Sequence, residues 1–423
     1  MRSYLRLLRN RPFAELWLGS TISSMGDALT WVALVWLVLS RTGSPRAVGG
    51  LVIVYTAPVL AGGFLMGSAL DRFDRRRFLI GVNAVLGCAV ASVPIASALG
   101  TLHVWQLYAV AAAYGLLKMA NWAGVPSIVP SLVAEEDLNT ANAMESVSFG
   151  AADVGGPALA GALIGVIGAA MVLAIDAASY LLFIGFLVML RVPSVPAVSV
   201  PAVGVPAAEK EIGSRPGLRL RPALRFLRRT PPVLATTLMF MAANVGEGML
   251  LVLIPVYARR ELGGGAGTFG LMLSTFALAA LIGSAVVGAL RWRLPLGRSI
   301  AMAQTLAGVS YLGLLMAPST ATALLTLAVA GVFSSPLTIW AQTLRMRLIP
   351  AEMRGRVFGV LRTLMQSTPP LGAAVAGVLL ANGNGGVTAT VIAMAAVIAL
   401  PGLAGLVSAA LAPTVAPVVD VPA

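Results

Sequence analysis

Charge is scarce in this chain: Asp, Glu, Lys and Arg make up 11% of its 423 residues, against about 25% in a soluble domain. A soluble fold of this length needs a wetted surface that so few charges do not provide. The chain has one cysteine, Cys88, and one histidine, His103. A lone cysteine excludes an intramolecular disulfide. Together the two leave no spacing for a metal cluster and little material for a nucleophile–base pair, so an enzyme is not expected. No Gly-x-x-x-x-Gly-Lys-Ser/Thr stretch occurs, which removes the usual phosphate cradle for ATP-driven work. Acidic residues number 16 against 29 basic ones, a formal net charge of +13. Such a surplus often signals nucleic acid. Here its placement points to membrane orientation and lipid headgroups, with no nucleic-acid partner.

What is abundant is apolar sequence: 58% of residues are hydrophobic and mean hydropathy is +0.90. Such richness excludes disorder as well. A helical span takes ~20 apolar residues, and the chain has room for twelve. The basic start is followed by an apolar run too long for a signal peptide, so a retained first helix is expected. Residues 78–117, 299–344 and 363–419 contain no charged side chain. Each is long enough for a helical hairpin, turning at Gly100-Thr101, Pro318-Ser319 and Asn382-Gly383. Spans are expected near 16–39, 47–69, 78–99, 104–126, 142–166, 170–190, 233–256, 268–290, 299–317, 321–343, 357–381 and 387–411. The fold class is therefore all-α integral membrane.

Basic residues orient the spans. Arg41, Arg46, Arg259 and Arg260 fall on one side and Lys118 inside a span; the other 24 of the 29 fall on the side of the N-terminus. The positive-inside rule then puts both termini in the cytoplasm, in the cell (inner) membrane. The stretch 191–230 is rich in proline and then basic, the composition of a linker. It divides an N-terminal six-helix half (1–190) from a C-terminal half (231–411), with a tail at 412–423. The halves echo each other: Leu5-Arg6-Leu7-Leu8-Arg9-Asn10-Arg11-Pro12 against Leu224-Arg225-Phe226-Leu227-Arg228-Arg229-Thr230-Pro231. Met25-Gly26-Asp27 likewise matches Val245-Gly246-Glu247. Parallel repeats of six helices are a transporter plan with the substrate site between the halves.

The loop after the second span reads Gly67-Ser68-Ala69-Leu70-Asp71-Arg72-Phe73-Asp74-Arg75-Arg76. It resembles the Gly-x-x-x-Asp-Arg-x-Gly-Arg-Arg signature of the major facilitator superfamily, with Asp74 in place of the usual glycine. Across its twelve spans the chain is similar to that superfamily, which implies two six-helix bundles related by pseudo-two-fold symmetry. Physically, Gly67 permits close helix approach, and Asp71 can pair with Arg354 or Arg356. Gly67, Asp71, Arg72, Arg75, Arg76, Arg354 and Arg356 are thus expected to form a cytoplasmic latch. In span five, Gly156, Pro157 and Gly161 resemble the pattern associated with the superfamily's antiporters; a proline there frees a carbonyl and small residues let helices close up. The N-terminal stretch and Ile349–Gly359 resemble the branch holding enterobactin exporters and macrolide-efflux proteins. That resemblance implies export driven by proton entry, with the proton as coupling ion and no other cofactor.

Charges within spans are costly and mark function. Asp27 and Glu247 stand at repeat-related positions near mid-span; with Asp153 and Glu145 they are the candidate proton carriers, since burial pushes a carboxyl toward its neutral form. Lys118 needs a partner, and Asp153, Glu145 and Asp27 are the candidates. Asp176 is expected to reach headgroup water at the end of its span. Trp31, Asn121, Trp122, Asn244 and Trp340 are candidates to line a cavity. The expected activity is secondary active export of a small amphipathic molecule, such as a drug or siderophore, against protons by a monomer in contact with membrane lipids. A lysophospholipid flippase or nutrient importer on the same scaffold is the alternative, and a non-transport membrane sensor a remote one.

Overall fold

The computed structural model describes residues 2–190, 225–289, 294–316, 319–350, 353–408 and 411. Among them there is helix and no strand. The helices are α1 (Arg2–Arg9), α2 (Arg11–Thr42), α3 (Pro45–Arg72), α4 (Arg75–Ala98), α5 (Val104–Ile128), α6 (Leu138–Ile167) and α7 (Ala169–Met189). After the linker come α8 (Pro231–Arg260), α9 (Ala266–Ala289), α10 (Leu296–Ser310), α11 (Thr320–Leu348), α12 (Arg354–Gln366), α13 (Pro369–Leu379) and α14 (Gly386–Val407). Most of the linker (191–224) and the tail 412–423 lie outside the described residues; 225–229 are helical.

Among the described residues nine helices are individually long and apolar enough to cross a membrane: α2, α3, α4, α6, α7, α8, α9, α11 and α14. The expected twelve are completed by α5, by α10 continued through the 3-10 turn Tyr311–Leu315, and by α12 with α13. Local chemistry sets their ends. Gly43 closes α2 in the left-handed conformation (φ 62°), which glycine adopts without penalty. Asp74, the residue that departs from the signature, is the N-cap of α4, and its carboxylate accepts the amide of Arg77 at 2.8 Å. Its φ of −57° needs no glycine, so the turn survives the replacement.

Span eleven differs from the expected continuous helix. It breaks at Ser367-Thr368, before Pro369-Pro370. Pro369 has no N–H to give the carbonyl of Met365. That carbonyl instead accepts the Thr368 hydroxyl at 2.8 Å and the Asn244 side-chain amide at 2.8 Å. Asn244, expected to line a cavity, is buried and holds this break together.

By contact the chain divides into two units. The first is Met1–Val203 with Leu250–Ser274 and Ala373–Val387; the second is Gly204–Met249 with Thr275–Gly372 and Thr388–Ala423. In the first unit α2 packs on α6 and α7, α3 on α5, and α4 on α7. Gly161 meets Ala266 and Gly267, Gly270 meets Pro157, and Gly49 meets Ala373 and Gly377, at distances that leave no room for a β-carbon. On the face carrying the N-terminus, Arg6 binds Asp137 and Glu136, the latter at 3.3 Å. The bond to Asp137 is the main reason the Arg6 guanidinium sits above its ordinary pKa. In the second unit Met239, Ile300, Ala303, Leu337, Trp340 and Leu344 form a buried core. Gln304 ties it together by donating to the carbonyls of Met239 at 2.9 Å and Ile398 at 3.1 Å.

Candidate functional site

Among the described residues, the first unit holds a polar cluster inside the spans. It is built from α2 (Asp27, Thr30, Trp31), α5 (Tyr114, Lys118, Trp122) and α7 (Asp176, Ser179, Tyr180), with Tyr55 of α3 beside it. Helical spacing accounts for each contribution: Asp27 and Trp31, Tyr114 and Lys118, and Asp176 and Tyr180 are each four apart, so each pair shares a face.

Lys118 Nζ lies 3.6 Å from Asp27 Oδ2. Of the three acids that could have served it, Asp27 is the partner. Lys118 also donates to the Tyr114 hydroxyl at 3.2 Å. It stands over two rings, 5.1 Å from the centroid of Tyr114 and 5.7 Å from that of Trp122. A carboxylate, a phenol and two π faces replace the water that burial removed. The second carboxyl oxygen of Asp27 accepts the Tyr180 hydroxyl at 2.6 Å.

Asp176 departs from expectation. It is fully buried rather than wetted at the membrane surface. Its carboxylate accepts the hydroxyls of Thr30 and, at 2.9 Å, Ser179. Gly26 makes this possible, because a β-carbon there would strike Asp176 and Ser179. The Met25-Gly26-Asp27 stretch thus places one acid and admits another. Trp31 lies 4.6 Å from Tyr55 with the rings tilted by 39°, and Tyr55 lies 5.7 Å from Tyr114, extending the cluster as a row of aromatic rings.

The remaining candidates are dispersed. Asp153 is exposed on α6 but within electrostatic range of Lys118. Glu145, two turns toward the N-terminal face, is buried, and its Oε1 has no hydrogen-bond partner among the described residues. Glu247 belongs to the second unit, where it is exposed. Asn121 pairs reciprocally with Asn83, at 2.9 and 3.0 Å. Trp122 is exposed beside Lys118, whereas Trp340 is packed in the core of the second unit.

Gly156 and Gly161 are contact points: the first faces Ala28 of α2, the second the start of α9. Beside Pro157, the Ala158 amide donates to the Ser274 hydroxyl at 2.9 Å. Of the expected latch, Arg72 is exposed. Arg75 donates to the Ser127 carbonyl at 2.8 Å and Arg76 to that of Leu187 at 2.6 Å, the C-terminal ends of α5 and α7, where a cation is favoured. The side chains of Gly67, Asp71, Arg354 and Arg356 lie outside what is described.

Sequence reasoning missed Thr30, Tyr114, Ser179 and Tyr180 as partners and set Asp176 at the wrong depth. The available signal was spacing: Ser179 and Tyr180 lie three and four residues after Asp176, and Tyr114 four before Lys118.

Twelve apolar helical segments, with a buried acid–lysine cluster in the first unit, have the layout of the major facilitator fold. A family model described as "Transmembrane secretion effector" matches residues 2–416, and the chain belongs to that family of major facilitator transporters; it is not an enzyme. The multidrug efflux pump Tap of Mycobacterium tuberculosis is 28% identical over 94% of this chain and 93% of its own. Macrolide efflux protein A of Streptococcus pyogenes is 22% identical over 43% of this chain and 45% of its own. Among solved structures, a bacterial homologue of the iron transporter ferroportin in an inward-facing state covers 95% of this chain and 98% of its own, with TM-score 0.70 and 19% identity. A POT family transporter in complex with 5-aminolevulinic acid covers 94% and 96%, with TM-score 0.68 and 14% identity. At such identities the structures speak for the fold alone.

Proposed function

We propose that the protein is a proton-coupled exporter of small amphipathic molecules of the multidrug type, acting in the cell membrane with both termini in the cytoplasm. The observation that carries this reading is the charge balance of the buried cluster. Asp27 pairs with the one ammonium of the cluster, Lys118, and Asp176 lies buried in the same cluster on the hydroxyls of Thr30 and Ser179. With both acids ionised the cluster holds one uncompensated negative charge away from water; one added proton makes it neutral. Low-dielectric surroundings make such an imbalance expensive, so the cluster has a reason to take up and release a proton as its surroundings change. The efflux relatives support export as the direction, and the row of Trp31, Tyr55 and Tyr114 beside the charges suits a substrate with aromatic or extended apolar surface.

Proteoliposomes with an imposed pH gradient test the reading. A panel of a macrolide, an aromatic cationic dye and an iron-free catecholate siderophore is offered, with a pH indicator trapped inside. Substrate movement opposite to proton movement, collapsed by a protonophore, is expected for at least one compound. Movement indifferent to the gradient for every transported compound overturns the coupling.

A further inference from the structure

Two buried side-chain polar atoms of the first unit lack hydrogen-bond partners among the described residues: Nε1 of Trp17, a donor, and Oε1 of Glu145, an acceptor. They belong to α2 and α6, which pack closely. The starts of these helices are tied together by Arg6 to Asp137 and by Asn10, whose amide donates to the Leu132 carbonyl at 2.7 Å. The two helices therefore run in the same direction. Their register is fixed higher up, where the Thr21 hydroxyl donates to Ser148 at 2.9 Å. One turn below that bond lie Trp17 on α2 (i−4) and Glu145 on α6 (i−3). The orphan donor and the orphan acceptor thus share one level of one helix–helix contact, directly beneath a pair of hydroxyls.

An unsatisfied buried donor or acceptor costs ~1–3 kcal/mol, and one on each side of the same seam suits a single small guest with both hydrogen-bonding functions. Buried waters typically make about three hydrogen bonds to such groups. Above the seam, Ser23 is buried and stands one turn below Asp27 on the same helix. In depth, Ser23, Thr21 with Ser148, and Glu145 with Trp17 mark successive levels between Asp27 and the N-terminal face, Ser23 on the α2 face that carries Asp27 and Thr21 with Trp17 on the face turned to α6. The axial distance from Asp27 to Trp17 is about 15 Å, too far for one transfer and suited to a relay.

We propose that Trp17 and Glu145 hold a water and form a second proton station, through which the coupling proton passes between the Asp27 cluster and the N-terminal face. The transfer is a relay: a proton reaching the held water leaves one proton of that water on Glu145 Oε1, and release to the N-terminal face returns the carboxylate. The station rests on the proton-coupled reading of the cluster above it. Among the described residues no other charge competes at this level. On α2, Arg11 and Glu15 bind each other at 2.7 Å one turn nearer the N-terminal face. On α1 and ahead of α6, Arg6 is held by Glu136 and Asp137. Residues 181–189 of α7 contain no titratable side chain, and Asp153 of α6 lies two turns beyond Glu145 toward the opposite face.

The test uses the full chain in proteoliposomes, with the proton as probe. Acid-minus-alkaline infrared difference spectra should show a protonated-carboxyl band that Glu145→Gln deletes and that Trp17→Phe, which keeps Glu145, shifts in frequency. Glu145→Gln should lower gradient-driven transport about tenfold or more, the scale of losing a positioned proton-transfer group, and leave gradient-free substrate exchange within about twofold. A spectrum unchanged by Glu145→Gln, or a band unmoved in folded Trp17→Phe, overturns the station. The two failures are distinguishable. Wild-type protein that couples, with a Glu145→Gln variant that couples equally well, leaves the proposed function standing and removes the station. A Glu145-dependent band in protein that shows no proton flux removes the coupled reading and, with it, the station's role in coupling.

Discussion

Lys118 Nζ stands 3.6 Å from Asp27 Oδ2, and the other oxygen of that carboxylate accepts the Tyr180 hydroxyl. One acid therefore joins three helices, α2, α5 and α7, in the middle of the first unit. The acid and the lysine are 91 positions apart, and no local pattern links them. Removing either charge alone leaves the other buried without its counter-ion, which is far more costly than removing both.

From that relationship follows a double-mutant cycle. Asp27→Asn should insert and fold but lose gradient-driven efflux by at least about tenfold, as for other positioned proton-transfer groups. Lys118→Met alone should lower thermal stability, as breaking a buried pair costs ~3–5 kcal/mol. Asp27→Asn with Lys118→Met should recover most of the stability and none of the coupling. Melting in detergent and efflux in vesicles read the two properties. Additive losses of stability in the double variant would show that the pair is not an interacting unit.

Gly26 provides a test of packing. Gly26→Ala should lower the melting temperature and the yield, because its methyl group would meet Asp176 and Ser179; overpacking of this kind costs ~1–3 kcal/mol. Gly150→Ala on α6 is the control, since its added carbon meets nothing within 4 Å. There a gain of up to ~1 kcal/mol is expected from helix propensity. Equal effects at the two sites would refute the close approach of α2 to Asp176.

Asn244 is expected to act on stability rather than on substrate. Asn244→Ala strips one donor from the Met365 carbonyl at the break of span eleven. A loss of ~1–2 kcal/mol is expected, together with faster amide exchange at the start of α13. Thr368→Val should add to it by removing the other side-chain donor. A variant with unchanged stability and altered substrate preference would restore Asn244 to a cavity wall.

Asp74 should behave as a helix cap. Asp74→Ala should cost ~0.5–2 kcal/mol, and Asp74→Gly, which brings back the signature residue, only a few tenths. Thermal melts at neutral pH rank the three proteins. Greater stability of the alanine variant than of the glycine variant would argue against capping.

The sequence by itself determined the number and order of the spans, because hydrophobic length is a local property that the membrane reads directly. It also marked Asp27, Glu145, Lys118, Asp153 and Glu247 as charges in an unfavourable solvent. The spacing that brought Gly156 and Gly161 into helix contacts was equally local. Only the tertiary structure decided which of these charges meet. The depth of Asp176 depends on how α7 leans against α2, and on a glycine 150 positions away that admits it. Trp340 and Asn244 went to cores and a helix break for the same reason: which face of a uniformly apolar helix turns inward is not written in its hydropathy. In a membrane helix almost every side is apolar, so the periodicity that reveals an inner face in a soluble helix is weak. The partner of each buried polar group is then set by the packing of helices distant in sequence.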